Sequence, residues 1–358
     1  MGSTCLDLKC KLKLEPVAIA RGIAEMTVAH AVFPTIARLR FRLTAVDRIH
    51  LPTYAGSTWR GLLGRGLRLA ACVTRQSRCE GCLLIGNCVY ANLFETQAPP
   101  GKVAGRFSAA PRPFVLEPDT VGPRDIAPGG QLVFGLTLIG PVLEQIPSLI
   151  YALKHAGHLG LGRAAGRFEL DTLVCESVSG SGDWQTLYAG RSGGYTPPAL
   201  APCVLPVPPR MARLTLYTPL RLKRRGHFVG ARDFNAPDFL LSLCSRLHML
   251  SDHYGGDPHA FDWQRLYQVS ETVTVADRQL HWREWTRYSS RQDTLMQMGG
   301  LLGEFSLHGE TLPAFWPALW YGQWVHMGKG TTFGLGGYRL AQDDDCACGQ
   351  NGESSLPS

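Results

Sequence analysis

The chain has 358 residues, a length that fits two domains, each large enough to bury its own hydrophobic core. With 45% hydrophobic and 18% charged residues, the composition is that of a globular protein and excludes a mainly disordered chain. No apolar run reaches the roughly 18 to 20 residues that a membrane span needs, and the N-terminus lacks the apolar segment of a signal peptide. We therefore expect a cytoplasmic protein that has no membrane partner.

The chain has a formal net charge of +7. Its positive charge is concentrated in two segments. Nine arginines between Arg38 and Arg78 face a single acid, Asp47, and residues 210–225 contain no acid. The planar guanidinium group binds phosphate oxygens in pairs and is weakly hydrated, which suits a nucleic-acid backbone. An ordinary solvated surface mixes both signs of charge. The distribution therefore favours nucleic acid as the partner.

The predicted elements begin after an N-terminal arm, residues 1–34, which shows little periodicity. Alternating apolar and basic residues predict a strand over 35–46, and helical periodicity from residue 58 to 70 places leucines on one side and arginines on the other. A strand at 131–139, a helix over 141–156 and a last strand follow. This order is close to the βαββαβ pattern of a ferredoxin-like (RAMP/RRM-like) fold, with one strand unassigned. We assign residues 35–190 to this first domain.

A cysteine-rich insertion, residues 72–118, interrupts the first domain. Its four cysteines, Cys72, Cys79, Cys82 and Cys88, are predicted metal ligands, because tetrahedral zinc prefers thiolates and a Cys-x2-Cys turn supplies two of them. A chain without an export signal is not expected to use a disulfide framework. The outer spacings are irregular, so an iron–sulfur cluster and four unconnected thiols remain alternatives to a structural zinc ion.

A proline-rich linker, residues 191–210, precedes a second domain at 211–341. Its predicted elements are strands at 212–217 and 300–308 and helices at 238–253 and 312–321. Aromatic and arginine residues alternate between 282 and 292, a mixture that can stack bases and hold phosphates or form an edge strand. We expect the acidic tail, residues 342–358, to be disordered.

One glycine run follows the second predicted helix of each half. Residues 328–337 hold five glycines, and residues 157–170 repeat the pattern of clustered glycines, a basic residue and an apolar strand. Bare backbone lets main-chain N–H groups approach a phosphate closely, and Lys329 would add charge. The spacing does not fit a Walker P-loop. A glycine-rich hairpin that packs under a helix is the alternative. The repetition of the pattern indicates an internal duplication.

Several of these segments together resemble the CRISPR-associated RAMP endoribonucleases that process precursor CRISPR RNA. They are LPTYAGSTWRGLLGRGLR after the first strand, the cysteine-rich insertion, TPLRLK after the linker and HMGKGTTFGLGGYRL at the end of the second half. The likeness is strongest over residues 36–95, 157–170 and 212–340. It implies an α+β protein of two tandem ferredoxin-like domains that cuts each repeat once without a metal ion. The 2′-OH attacks the adjacent phosphate, which leaves 2′,3′-cyclic phosphate and 5′-OH ends.

Such a reaction needs a general base, a general acid and cations near the phosphate. Members of the family carry the catalytic histidine in or near the first helix, which here contains none. The nearest candidate is His50, the second is His326 on the glycine run, and Tyr54 could assist. A loop-positioning or RNA-contacting role is the alternative for His326, and a backbone-bonded strand end is the alternative for His50.

The partner implied by the resemblance is CRISPR repeat RNA, with other CRISPR effector subunits as a second class. The residues predicted to contact RNA lie in the basic segments or the glycine runs: Arg38, Arg40, Arg60, Arg65, Arg68, Arg163, Arg221, Lys223, Arg287, Arg291, Gly328, Lys329 and Gly330. No cofactor is expected for catalysis, while a structural zinc ion remains an option. A catalytically inactive RNA-binding subunit of an effector complex is the alternative function, and a protein whose function depends on zinc at the cysteines is a third.

Overall fold

The computed structural model of the chain describes residues 32–96, 110–118, 124–162, 164–190, 193–202, 205–289 and 294–341, with the backbone alone for 287–289 and 294–296. Arg163, Arg291, most of the predicted N-terminal arm and the acidic tail lie outside the described residues. Among the described residues, no helix combines the length and the apolar character needed to cross a membrane.

The first half builds a five-stranded antiparallel sheet and a separate two-stranded pair of β2 and β4. In chain order its elements are β1 (Ile36–Ala45), β2 (Ile49–Leu51), α1 (Gly56–Ala71), α2 (Val89–Phe94), β3 (Phe114–Pro118), β4 (Arg124–Ile126), β5 (Gln131–Ile139), α3 (Ile146–Leu159), β6 (Phe168–Glu176) and β7 (Trp184–Ala189). The sheet order is β3-β5-β1-β6-β7. The first four of these strands follow the arrangement of a ferredoxin-like fold, and β7 extends its edge.

The buried faces of β1 and α1 follow the periodicity of their sequences. Along β1, Phe41 is buried and its neighbours Arg40 and Arg42 are exposed, as the alternation predicts. On α1, Trp59 is fully buried, and its ring stacks on Phe134 of β5 with the ring centroids 4.5 Å apart. The α1 helix can approach α3 closely because position 66 is a glycine, where a Cβ would lie 2.7 Å from the Ala152 carbonyl oxygen.

The strand that the sequence left unassigned is β3. It pairs with β5 from Phe114 opposite Leu138 to Pro118 opposite Phe134. Residues 114–118 therefore form a strand of this sheet, at the end of the stretch 72–118 that was predicted to be the insertion.

The second half repeats this arrangement. Its elements are β8 (Met211–Leu220), β9 (Lys223–Arg224), β10 (His227–Phe228), α4 (Ala236–Tyr254), α5 (Trp263–Ser270), β11 (Thr274–Arg283), β12 (Thr286–Ser289), β13 (Thr294–Gln297), β14 (Gly300–His308), α6 (Trp316–Val325) and β15 (Tyr338–Leu340). The sheet order β11-β14-β8-β15 matches the four strands β3-β5-β1-β6 of the first sheet, and β7 has no counterpart in it. The prediction of an α+β protein with two tandem ferredoxin-like folds is confirmed.

The two halves share a buried junction. Ile36, Val115 and Ile139 of the first sheet belong to the hydrophobic core of the second half. The Tyr321 hydroxyl of α6 also donates a hydrogen bond to the Pro34 carbonyl oxygen at 2.5 Å. This contact holds the residues just before β1 against α6. Each sheet lies within one predicted domain, but the domain limits themselves stay a prediction.

Candidate functional site

The segment from β2 to the start of α1 contacts both glycine runs. A Cβ at position 162 would lie 2.7 Å from the His50 carbonyl oxygen, so this strand rests directly on the first run. At the other end of the segment, the Tyr54 hydroxyl donates a hydrogen bond to the Phe333 carbonyl oxygen in the second run at 2.7 Å. His50 and Tyr54, two of the predicted catalytic residues, therefore lie on one short segment that contacts both glycine runs.

His50 is exposed and paired with a carboxylate. Its side chain is 54% exposed, and Nδ1 lies 3.3 Å from Asp125 Oδ1 on the facing strand β4. The other oxygen of Asp125 accepts a hydrogen bond from Arg48 at 2.9 Å. Since the carboxylate engages Nδ1, Nε2 is the ring nitrogen that a substrate can meet. This arrangement can take up a proton at Nε2 and stabilise the resulting imidazolium through Asp125.

Tyr54 has a different environment. Its ring lies against Trp285 with the centroids 4.3 Å apart, and burial raises the pKa of its hydroxyl well above the usual value. At position 56 a Cβ would come within 1.9 Å of the Phe333 carbonyl oxygen, so only glycine permits this approach. The phenol therefore keeps its proton and joins the two modules.

His326 lies in the interior of the second module. Its Nδ1 is 3.2 Å from the Leu335 carbonyl oxygen and its Nε2 is 2.9 Å from the Tyr217 hydroxyl, so Nδ1–H donates and Nε2 accepts. Burial lowers the pKa of His326 to about 4, which keeps the ring neutral near pH 7. Buried Arg246 donates to the His326 carbonyl oxygen at 2.7 Å. A catalytic histidine must be accessible to the substrate, whereas His326 is fully buried. Its position therefore favours the loop-positioning alternative.

The glycines of the second run are required by close packing. Gly336 has φ +74°, and a Cβ there would lie 1.8 Å from the Met327 carbonyl oxygen. The amide of Gly336 donates to the Pro219 carbonyl oxygen at 2.9 Å, and that of Lys329 donates to the Arg221 carbonyl oxygen at 3.0 Å. Much of this backbone is therefore engaged within the protein, as the hairpin alternative expects. The Lys329 side chain is exposed, whereas Gly328 and Gly330 are half-buried.

Arg38 is not on a basic surface. Its guanidinium forms ion pairs with Glu117 at 3.3 Å and with Glu176, and it lies 4.1 Å from the ring centroid of Trp324 on α6. The side chain is buried at the junction of the two halves. The structure therefore does not fit the predicted RNA contact of Arg38, because Glu117 and Glu176 already neutralise its charge.

The other arginines of the first module occupy mixed environments. Arg40 is exposed, with its guanidinium 4.0 Å from the ring centroid of Trp184. Exposed Arg65 donates to the Gly160 carbonyl oxygen at 3.1 Å. The guanidinium of Arg60 lies 4.8 Å from the ring centroid of Phe333, which places it at the contact between α1 and the second run. Half-buried Arg68 bonds the Gln76 carbonyl oxygen.

In the second module, Arg221 and Lys223 flank one exposed aromatic ring. Their charged groups lie 4.5 and 4.9 Å from the ring centroid of Phe228. Lys223 is exposed, and Arg221 is half-buried with a hydrogen bond to the Gln297 carbonyl oxygen at 3.1 Å. Arg287 lies on β12, and its side chain is outside the described residues.

The four predicted metal ligands lie around one cavity of about 180 Å³ and are free thiols. Within the described part of the chain, no group of three or more His, Cys, Asp or Glu side chains is arranged to hold a metal ion. The zinc prediction therefore stays a prediction.

Sequence reasoning missed three acids that shape these sites: Asp125, Glu117 and Glu176. Asp125 meets His50 only because β2 pairs with β4, which is far away in sequence. Glu117 lies on β3, the strand that was left unassigned. The residues of β3 show no alternation, and Glu117 reaches Arg38 of β1 only across the intervening strand β5.

The two ferredoxin-like modules each carry a glycine run between the second helix and the last strand. Residues 214–338 match the family model of the CRISPR-associated endoribonuclease Cas6, and residues 33–200 match a family model described as an N-terminal domain. The resemblance of the chain to the CRISPR-associated RAMP endoribonucleases is thereby confirmed.

Solved structures agree on the fold. A product complex of a Thermus thermophilus Cas6 aligns with a TM-score of 0.51 and 16% identity over 86% of this chain and 100% of that chain. A partial Cas6-RT-Cas1–Cas2 complex aligns with a TM-score of 0.50 and 13% identity over 91% of this chain and 48% of that chain. An uncharacterized protein of Archaeoglobus fulgidus is 29% identical over 145 residues, which is 40% of this chain. That match spans 47% of the relative, about half of its length.

Proposed function

We propose that the chain is a metal-independent endoribonuclease that cuts precursor CRISPR RNA within its repeats. The observation that carries this proposal is the match of residues 214–338 to the Cas6 endoribonuclease family on a doubled ferredoxin-like fold. The domains at 35–190 and 211–341, joined by the linker at 191–210, are the units of this proposal. Its partner is CRISPR repeat RNA, and the cytoplasm is where the two meet.

His50 is the proposed general base. Its Nε2 takes the proton of the ribose 2′-OH, and the 2′ oxygen forms a bond to phosphorus. The bond from phosphorus to the 5′ oxygen breaks, and that oxygen takes a proton from water at this half-exposed site. The products are a 2′,3′-cyclic phosphate and a 5′-OH. Asp125, 3.3 Å from Nδ1, holds the ring and stabilises the imidazolium.

Exposed cations on both modules support the binding of RNA. Arg40, Arg65, Lys223 and Lys329 are exposed, and the charged group of Lys223 lies over an aromatic ring. When such cations neutralise phosphates, counterions are released from the RNA, so the affinity depends on the salt concentration. The proposal therefore includes an RNA affinity that falls steeply as the salt concentration rises.

A cleavage assay with the repeat RNA encoded beside the gene tests the function. End-labelled RNA incubated with the protein in EDTA should give a single cut. The 3′ end of the resulting 5′ fragment should resist phosphatase until its cyclic phosphate is opened. The matched control is the same RNA with one 2′-deoxyribose at the cut position, which should bind and remain uncut. Salt-sensitive binding without any product would instead identify an RNA-binding subunit, and cleavage of the deoxy substrate would exclude the 2′-OH mechanism.

A further inference from the structure

The inner face of the cysteine segment, residues 72–88, consists almost entirely of thiols. The half-buried residues of this segment are Cys72, Cys79, Cys82, Ile85 and Cys88, and each of its other residues is exposed. Leu83 is 99% exposed and Val73 is 80% exposed. The segment contains one short 3-10 turn and no strand or α-helix. A stretch of this length without its own apolar core usually needs a covalent or metal crosslink.

The thiols converge on a single place. All four line the cavity of about 180 Å³, and the Thr74 hydroxyl oxygen lies 3.6 Å from Cys82 Sγ and 4.0 Å from Cys72 Sγ. Cys79 and Cys82 sit on one tight turn, closed by a hydrogen bond from the Cys82 amide to the Cys79 carbonyl oxygen at 3.1 Å. The segment thus offers two ligands from a turn and one from each of its ends.

The ends of the segment are also ends of helices. Cys72 follows α1, and its amide donates to the Arg68 carbonyl oxygen at 3.0 Å. Cys88 precedes α2, and its carbonyl oxygen accepts from the Asn92 amide at 2.9 Å. An ion shared by the four thiols would tie α1 to α2. Arg78 lines the cavity, so positive charge is available beside a negatively charged cluster of thiolates.

We propose that Cys72, Cys79, Cys82 and Cys88 bind one structural zinc ion. Zinc takes four thiolates in a tetrahedron with zinc–sulfur distances of about 2.3 Å. Among the described residues these thiols are not spaced as a metal site, so binding requires their sulfur atoms to move closer together. The four ligands lose their protons on binding, and no electron is transferred. This site does not depend on the proposed cleavage activity.

Metal analysis of the full chain tests the site. Protein purified from zinc-supplemented medium without chelator should contain about one zinc ion per chain by mass spectrometry of the elements. Cobalt exchanged into the site should give the thiolate-to-metal absorption of a tetrahedral sulfur site. Cys79→Ser with Cys82→Ser should lose the metal and melt at a lower temperature. The control, Cys346→Ser with Cys348→Ser, removes two thiols elsewhere and should keep the metal.

Each alternative gives a distinct result that overturns the zinc proposal. A brown protein with iron and inorganic sulfide would indicate an iron–sulfur cluster. A mass lower by two hydrogens per bond under non-reducing conditions would indicate disulfides. Wild-type protein free of metal, with no cobalt spectrum, would show four unconnected thiols. The wild-type measurements decide the question even where the Cys79→Ser and Cys82→Ser variant fails to fold.

Discussion

The two glycine runs occupy equivalent places in the two modules and yet serve different neighbours. The first run, after α3, supports the strand that carries half-exposed His50. The second run, after α6, encloses fully buried His326 and contacts the first module through Phe333. A glycine-rich loop by itself therefore does not identify the module that would carry the proposed general base. The exposure of the adjacent histidine distinguishes the two.

The largest expected effect comes from removing the exposed histidine. His50→Ala should slow single-turnover cleavage of repeat RNA by about 10²- to 10⁴-fold, the usual contribution of a general base. RNA affinity should stay close to that of the wild type, because the imidazole is not a phosphate-binding cation when neutral. Rapid-quench kinetics and a filter-binding titration measure the two quantities.

Asp125→Asn is the companion variant, and it should slow cleavage less, because the amide still meets Nδ1 while the charge is lost. The control at the second run is His326→Gln, which should affect stability more than the chemical step. Cleavage by His50→Ala at the wild-type rate would move the reaction away from the first run.

The buried histidine should make stability depend on pH. The pKa of His326 is about 4 in the folded protein, and an unfolded histidine titrates near 6.5. Below that value the unfolded chain binds more protons, so the free energy of unfolding falls as the pH falls, by up to about 3 kcal/mol between pH 6.5 and 4. Above pH 6.5 the full contribution is present.

Urea unfolding at pH 7 and at pH 4.5 measures this difference. His326→Gln, which cannot titrate, should lose less stability between the two pH values than the wild type. His50→Ala is the control and should keep the wild-type pH dependence. An equal loss in the wild type and in His326→Gln would contradict the assignment of the effect to this ring.

A glycine pair on α1 tests the contact between the second run and the first module. Gly56→Ala places a Cβ 1.9 Å from the Phe333 carbonyl oxygen, so we expect a destabilisation of about 1–3 kcal/mol from overpacking. Gly61→Ala on the same helix meets no atom within 4 Å and should be neutral or stabilising by up to about 1 kcal/mol. Thermal unfolding of both variants measures the contrast. Equal melting temperatures would mean that the two modules do not meet at this point in solution.

The sequence allowed the fold to be predicted where patterns are local. Strand β5 was predicted with its observed limits, Gln131–Ile139, where a mostly apolar run lies between Gly130 and Gly140. The order of strands and helices in both halves followed from such segments. The pairing of β2 with β4 could not be predicted, since each strand has three residues and the two are far apart in the chain.

The candidate site was harder to predict because exposure depends on distant residues. Arg38 alternates with apolar residues on β1 and therefore looks like a surface residue. It is buried because Glu117 and Glu176 bring two carboxylates to it from other strands. His326 lies next to glycines in sequence, which says nothing about which side of the loop faces the core. Only the tertiary structure separates this histidine from His50.

The smallest expected effect separates two roles of Tyr54. Tyr54→Phe removes the hydrogen bond to the Phe333 carbonyl oxygen and should lower the free energy of unfolding by about 1 kcal/mol. Tyr151→Phe, at a position that is 54% exposed, is the control and should change it by less than about 0.5 kcal/mol. Because the Tyr54 hydroxyl is buried, with its pKa raised, and is engaged by the second run, cleavage should continue at nearly the wild-type rate. A rate loss comparable to that of His50→Ala would instead make Tyr54 a participant in proton transfer and would require the loop around Phe333 to open when RNA binds.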